Sequence, residues 1–199
     1  METPDTIHAF WFGGDPDDAH LAAGRSKLWW SKDPAVDAAM RQRFGPWLAR
    51  AAARALDDWL ATPVGRLALI LLTDQVPRNI HRGTPRAFAF DALARHWCEE
   101  GIAAGQDKAL RPLERVFFYL PLEHSESLAD QERAVALFRT LAQAAPAGAR
   151  KTFDGFLDYA LRHRDVIARF GRFPHRNRVL ARASTARELA FLAEPGTSF

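Results

Sequence analysis

Three polar segments stand out in an otherwise apolar sequence, and the first, TDQVPRNIHRGTP at residues 73–85, directly follows the most hydrophobic stretch. Proline at position 77 is expected to bend the chain, so that the polar side chains crowd a helix end. A carboxylate can orient a nearby guanidinium, and arginine holds a carboxylate or phosphate in two-point contact. The candidate ligand-binding residues of this segment are Asp74, Gln75, Arg78, Asn79 and Arg82. The alternative is structural, since Asp, Gln and Asn at helix junctions commonly cap backbone groups.

The second segment, FFYLPLEHSES at residues 117–127, places a histidine between two carboxylates. A neighbouring carboxylate can bring the pKa of an imidazole toward the operating pH, which suits general acid and base catalysis. The candidate catalytic residues are Glu123, His124 and Glu126, with His175 from the third segment, and Glu126 is also a candidate ligand-binding residue. The alternative is a polar helix terminus without catalytic function.

The third segment, residues 162–187, contains eight arginines and one acidic residue, whereas the rest of the chain is net negative. Arginine interleaved with phenylalanine and histidine is suited to grip an anion, stack on a nucleobase or follow a phosphate backbone. The candidate ligand-binding residues here are Arg169, Arg172, His175, Arg176 and Asn177. The alternatives are a solvated basic face, or arginines paired with acids from elsewhere in the fold. His163 is predicted to be a hydrogen-bonded core histidine.

Other kinds of site lack support in the sequence. Cys98 is the only cysteine, and no two histidines have the helical spacing of zinc proteases, so we predict no metal site and no cofactor. Glycine-rich phosphate loops and a serine nucleophile elbow are also absent. The longest apolar run, residues 67–72, is too short to cross a bilayer. The first residues lack the basic and then apolar pattern of a signal peptide. We therefore expect a cytoplasmic protein that does not associate with membranes.

The composition predicts the elements that position these residues. The 199 residues are 48% hydrophobic and include 36 Ala and 22 Leu against 7 Val and 5 Ile, a balance that favours helices over strands. We predict an all-α protein with a single domain over residues 1–199 and about eight to ten helices. Short connections favour an array of antiparallel helical hairpins, in a bundle or a superhelix.

Capping residues and prolines place the helix boundaries. Thr62, Thr84, Ser127 and Thr185 are predicted to begin helices, and Gly45 with Pro46 is predicted to separate two of them. The predicted helices cover residues 4–12, 17–30, 34–44, 46–60, 64–75, 86–104, 128–145 and 153–170, with a last one from 185. The aromatic residues near the start, Phe10, Trp11, Phe12, Trp29 and Trp30, are expected to pack in the core, or alternatively to line a ligand pocket.

Four blocks of the sequence resemble the signatures of a bacterial family, domain of unknown function 924. These blocks are FWFG at 10–13, DQVPRN with RGTP at 74–85, LPLEHSE at 120–126 and RFGRFPHRN at 169–177. The resemblance implies an all-helical fold similar to tetratricopeptide-like helical arrays, in agreement with the predicted hairpins. It implies no established activity.

Three functional hypotheses follow, and the first is a binding protein whose polar segments form one site for a small anionic molecule or an acidic peptide. In this hypothesis the anion is held by Arg78, Arg172 and Arg176. Asp74 and Glu126 orient these arginines. The site is walled by Phe12, Trp30 or Phe173.

The second hypothesis is a hydrolase-like enzyme, with His124 or His175 as general base beside Glu123, Glu126 or Asp74. The third is nucleic-acid binding through residues 162–187. The sequence disfavours the third, because lysines are few and the rest of the chain is net negative.

Overall fold

The computed structural model describes residues 1–197, and α-helices account for most of this part of the chain. The helices are α1 Pro4–Phe12, α2 Asp18–Trp30, α3 Pro34–Ala52, α4 Pro63–Ile70, α5 Val76–Ile80, α6 Asp91–Ala103, α7 Pro112–Glu123, α8 Leu128–Ala144, α9 Arg150–Phe170 and α10 Ala186–Leu192. No strand occurs among these residues. The predicted all-α fold is confirmed.

Several helices begin at the capping residues that the sequence indicates. The Thr62 hydroxyl accepts a hydrogen bond from the amide of Gly65 at the start of α4. Ser127 caps α8 in the same way, and Thr185 forms a reciprocal capping box with Glu188 at the start of α10. Each cap satisfies amides that lack partners within the helix. The predicted starts of these three helices are therefore confirmed.

The predicted break at Gly45 and Pro46 is wrong, because α3 runs without interruption through both residues to Ala52. A proline inside a helix leaves the carbonyl four residues earlier without its usual donor. Here Pro46 and Gln42 are both exposed, so solvent can satisfy that carbonyl. The predicted helix 46–60 accordingly ends early, and its last part is a separate 3-10 turn, Asp57–Ala61.

The helix end predicted at Pro77 is also wrong. The helical path continues from α4 through a π-helical turn, Leu71–Gln75, into α5, which has Pro77 in its first turn. In this wider turn the amide of Val76 bonds to the carbonyl of Leu71. Proline has no amide to donate, so the regular hydrogen-bond ladder is interrupted at this point in any case. Asp74 and Gln75 thus lie inside a helical segment and not at its end.

Two further helices differ from the predictions. The Thr84 hydroxyl donates to the carbonyl of His81 and does not cap a helix. A 3-10 turn, Pro85–Phe88, follows, and α6 begins only at Asp91. Helix α7 is absent from the predictions, because Pro121 and the polar residues after it do not indicate a helix. Almost all of its residues are buried. It ends at Glu123, directly before His124.

An aromatic core forms around Phe117 of α7. The rings of Trp11, Phe12 and Trp29 meet Phe117 edge to face at centroid distances of 4.7–5.6 Å. Trp30 stacks on the same ring but remains half exposed. The expectation that the aromatic residues near the start pack in the core is thus met for Trp11, Phe12 and Trp29. No helix within residues 1–197 is long and apolar enough to cross a membrane.

The last helices return the chain to this core. Helices α8 and α9 pack along each other after a short connection. Helix α9 ends at Gly171, whose positive φ of 69° reverses the chain. The following residues pass back over the end of α7, and Phe173 is completely buried. This return positions the 3-10 turn Pro174–Arg176 beside His124.

Candidate functional site

Five charged or titratable side chains from separate elements meet in one place, which we call the Asp74 cluster. Its members are Asp74, Arg78, Asp91, His124 and Arg176. They come from the π-helical turn, α5, the start of α6, the end of α7 and the turn after α9. The structure therefore brings together one or more residues from each of the three polar segments.

Asp74 and His124 form a direct hydrogen bond, with 2.8 Å between Oδ1 and Nδ1. Asp74 is completely buried, and its Oδ2 accepts a 2.6 Å hydrogen bond from the side-chain amide of Gln75. Burial raises the pKa of Asp74, but the charge of Arg78 and the bond with His124 outweigh it and hold that pKa well below its ordinary value. Asp74 is consequently ionised at neutral pH.

The ionised Asp74 sets the tautomer of His124. A carboxylate oxygen can only accept, so Nδ1 of His124 carries the proton and Nε2 is its basic nitrogen. Burial, followed by the charge of Arg78, lowers the pKa of His124 below 6.5, and Asp74 offsets part of this effect. At neutral pH His124 is thus an uncharged imidazole oriented by a carboxylate.

Arg78 is paired with a carboxylate and a carbonyl within the cluster. Its Nη1 and Nη2 donate to the two carboxylate oxygens of Asp91 at 2.9 and 3.0 Å. Nη1 also donates to the backbone carbonyl of Asp74 at 2.7 Å. This two-point pairing neutralises most of the charge of Arg78, which leaves it little capacity for a further anion.

Arg176 differs from Arg78 in how its charge is compensated. It is only 6% exposed, and its guanidinium lies over the rings of Phe173 and Phe88 at 4.3 and 4.8 Å. Nη1 donates to the carbonyl of His124 at 3.0 Å, while the nearest carboxylate, Asp91, is 3.6 Å away. The buried Nε has no hydrogen-bond partner among residues 1–197. Burial, and next the charge of Arg78, lower the pKa of Arg176 to about 10.

Two further buried titratable residues, Glu123 and His163, lie next to each other near His124. Burial, together with the charge of Asp74, raises the pKa of Glu123 to about 8, so its carboxyl is largely protonated at neutral pH. His163 Nδ1 lies 2.8 Å from the carbonyl of Tyr159 and 3.3 Å from Glu123 Oε1. Burial, and next the charge of His124, lower the pKa of His163 to about 3. The prediction of a hydrogen-bonded core histidine at 163 is confirmed.

Of the three carboxylates proposed as partners of His124, namely Glu123, Glu126 and Asp74, the structure shows Asp74 in direct contact with it. Glu126 accepts hydrogen bonds from Nη1 and Nη2 of Arg182 and from the backbone amide of Phe173. His175 lies against Phe173, with 5.6 Å between the ring centroids. Burial, and next the charge of Arg176, lower the pKa of His175 to about 4. The carboxylate that contacts His124 is Asp74.

Several other candidate residues are held by contacts within the fold. Arg82 forms two hydrogen bonds with Asp37 and one with the side chain of Asn79. Arg172 forms a two-point pair with Glu188 at 2.6 and 2.8 Å. The pairs of Arg172 and Arg182 with Glu188 and Glu126 agree with the alternative that arginines of the third segment pair with acids from outside it. Asn177 bonds to Ser184 and Arg182.

Sequence reasoning missed Asp91 and Phe88, both of which contact the arginines of the cluster. They lie between the first two polar segments, and no local spacing links them to Arg78 or Arg176. Phe12 and Trp30, predicted as walls of the site, pack around Phe117. No group of three metal-ligating side chains occurs within residues 1–197.

Two comparisons with known proteins give matches. The sequence profile of DUF924, described as a bacterial protein of unknown function, matches residues 7–196. The structure of the protein of unknown function ATU0120 from Agrobacterium tumefaciens is similar, with a TM-score of 0.81 and 40% sequence identity over 96% of each chain. No curated protein matches the sequence.

Proposed function

The chain belongs to DUF924, a bacterial family of unknown function, and we propose that it binds a small anionic ligand at Arg176. The observation that carries this proposal is the incomplete compensation of a buried guanidinium. Its Nε has no partner among the described residues, and its nearest carboxylate is 3.6 Å away. Buried charges are normally paired and buried donors normally bonded. A carboxylate or phosphate oxygen would satisfy both requirements.

The surroundings of Arg176 support recognition of a small group. Phe88 and Phe173 lie against its guanidinium, which restricts that group to one orientation before a ligand arrives. An arginine that is ordered in advance loses less conformational entropy on binding. The low exposure of Arg176 also favours an anion of a few atoms over an extended chain. Arg172, predicted as a third anion-binding arginine, is paired with Glu188 and has no part in this site.

Calorimetric titration with inorganic phosphate and with acetate, at constant ionic strength, tests this proposal. We expect the wild-type protein to bind one of these anions, and Arg176→Gln to weaken that binding by about tenfold or more, as loss of a charge-assisted hydrogen bond does. Arg176→Lys, which keeps the charge, should lose less.

Arg182→Gln is the matched control, because Arg182 lies in the same segment but is already held by Glu126. Both variants lose one positive charge, so the comparison between them separates binding at Arg176 from a general effect of net charge. Equal anion affinity in Arg176→Gln and Arg182→Gln would contradict the proposal, as would a wild-type protein that binds neither anion. Circular dichroism establishes that each variant is folded.

A second candidate function, hydrolysis by general acid–base catalysis, is favoured by the hydrogen bond between Asp74 and His124. A buried carboxylate that orients the Nδ1 proton of a histidine leaves Nε2 to take a proton from water, as in serine hydrolases. The pKa of His124 is lowered, so the base form should persist below pH 6.5. Arg176 would then stabilise the negative charge that develops during attack.

A panel of nitrophenyl esters and nitrophenyl phosphates tests the second function. We expect turnover by the wild-type protein and a decrease of about a hundredfold or more in His124→Gln. Asp74→Asn should decrease turnover as well, because it removes the carboxylate that fixes the tautomer. Turnover that is unchanged in His124→Gln would contradict this assignment.

A further inference from the structure

The surface where α9 ends and α10 begins carries two arginines without an acidic partner. Arg169 and Arg187 are both exposed, and neither forms an ion pair or hydrogen bond with another residue of 1–197. Their guanidiniums lie over the ring of Phe170 at 4.7 and 5.7 Å, and Arg169 also lies 5.4 Å from the ring of Phe191. The two charges are thus placed side by side on an aromatic support.

These arginines border an open depression of about 560 Å³, which we call the Phe170 depression. It is lined by Arg169, Phe170, Arg172, Thr185, Arg187 and Glu188. Glu188 is the only acid in this lining, and Arg172 pairs with both of its oxygens. Three positive charges and one negative charge leave the depression at +2. It is distinct from the Asp74 cluster, because none of its lining residues belongs to that cluster.

We propose that the Phe170 depression binds an acidic peptide segment of a partner protein. Guanidiniums recognise carboxylates through two parallel hydrogen bonds, and exposed arginines supported by an aromatic ring have their geometry partly fixed beforehand. The surplus charge of +2 is complementary to a pair of neighbouring Asp or Glu side chains.

The same geometry disfavours nucleic acid as the occupant. Single-stranded nucleic acids bind by stacking bases on aromatic faces, whereas two guanidiniums lie over the ring of Phe170. Following a phosphate backbone requires a row of uncompensated cations. Arg172 and Arg182 do not extend such a row, because they are paired with Glu188 and Glu126.

Fluorescence anisotropy with a labelled decaglutamate peptide tests the proposal, with an oligothymidylate of similar length as the competing probe. We expect the wild-type protein to bind the peptide in low salt and more tightly than the oligothymidylate. Arg169→Glu/Arg187→Glu should weaken peptide binding by about tenfold or more, since each of two exposed ion pairs becomes a repulsion. Arg169→Gln/Arg187→Gln should show a smaller loss of peptide affinity. This second variant replaces the first in the comparison if the charge reversal disturbs folding.

The matched control is Arg133→Glu/Arg139→Glu on α8, where both arginines are exposed and also form no ion pair within residues 1–197. It changes the net charge by the same amount away from the depression. Equal losses in the two reversed variants would overturn the proposal, because binding would then follow net charge alone. Absence of peptide binding would overturn it too, as would tighter oligothymidylate binding that depends on Arg169 and Arg187. Because Arg176 is intact in all of these variants, anion binding at the Asp74 cluster is tested separately.

Discussion

Glu123 and His124 are adjacent in the chain but have opposite protonation behaviour. Burial keeps the Glu123 carboxyl protonated up to about pH 8, while burial and Arg78 keep His124 neutral at the same pH. At neutral pH a protonated acid therefore stands beside an uncharged base, while Asp74, which contacts the base, is ionised. Environments that separate the pKa values of nearby groups in this way are typical of acid–base sites.

Replacing Glu123 with glutamine should change how stability depends on pH. In the folded protein the pKa of Glu123, about 8, lies above its ordinary value of 4.5. The unfolded chain therefore releases this proton first, and the wild-type protein loses stability as the pH rises from about 4.5 to about 8. Glu123→Gln cannot ionise, so its stability relative to wild type should increase over this range by a few kcal/mol, as each pKa unit corresponds to about 1.4 kcal/mol.

Urea unfolding at a series of pH values measures this difference. His163 and His175, with pKa values lowered to about 3 and about 4, add stability as the pH rises toward 6.5, and His163 contacts Glu123. The part of the difference that develops between pH 6.5 and 8 therefore reports on Glu123 itself. Glu132→Gln, on the exposed face of α8, should follow the wild-type curve. A constant difference between Glu123→Gln and wild type would show that Glu123 has an ordinary pKa.

At the scale of helices, the effect of a proline on its helix depends on whether the carbonyl four residues before it finds another partner. Pro46 lies on an exposed face, so that carbonyl meets solvent and α3 continues. Before Pro77 the chain instead widens into the π-helical turn that contains Asp74. Such turns are frequent at functional sites because they reorient a side chain within a helix. Sequence alone identified both prolines but not which of these outcomes each would have.

Replacing Pro46 with alanine should therefore stabilise the protein. Alanine restores the missing amide in an exposed helix interior, where it has a higher helix propensity by up to about 3 kcal/mol. We expect a gain of about 1 kcal/mol or more in the free energy of unfolding, because α3 already accommodates the proline. Thermal and urea unfolding measure this gain. Ala49→Gly, on the same exposed side of α3, should lose about 1 kcal/mol, and a destabilised Pro46→Ala would mean that the proline relieves strain.

The site could be predicted only in part for a related reason. Residue types identified Asp74, Arg78, His124 and Arg176 as candidates, because polar side chains concentrate at the ends of apolar segments. The sequence offered Glu123, Glu126 and Asp74 as partners of His124 without choosing among them, and the one in contact, Asp74, is 50 residues away. Which carboxylate reaches an imidazole depends on how helices pack, and local patterns do not contain that information.

Over the whole molecule, the arginine-rich segment attaches the last part of the chain to the core. Arg176 bonds to the carbonyl of His124, and Arg182 pairs with Glu126. The amide of Phe173 bonds to the same glutamate. Part of the excess positive charge is therefore used at this junction, while Arg169 and Arg187 remain exposed on the surface.

Removing the Glu126 side chain should loosen this junction without unfolding the protein. In Glu126→Ala the amide of Phe173 loses its acceptor, and the guanidinium of Arg182 loses its carboxylate partner but keeps its bond to Asn177. We expect hydrogen exchange across residues 173–182 to accelerate by about tenfold, the effect of roughly 1.4 kcal/mol in local opening. Exchange in α3 and α4 should stay unchanged, and Glu132→Ala should resemble wild type. A uniform acceleration over all helices would indicate global destabilisation instead.

The position of Arg176 in the chain also affects when the Asp74 cluster can form. Asp74, Arg78, Asp91 and His124 all precede Arg176, and they leave the ribosome earlier during synthesis. A nascent chain can assemble the helices that carry the first four residues, but it lacks the guanidinium that covers the carbonyl of His124. The proposed anion site can therefore be completed only after helices α1 to α9 have been made.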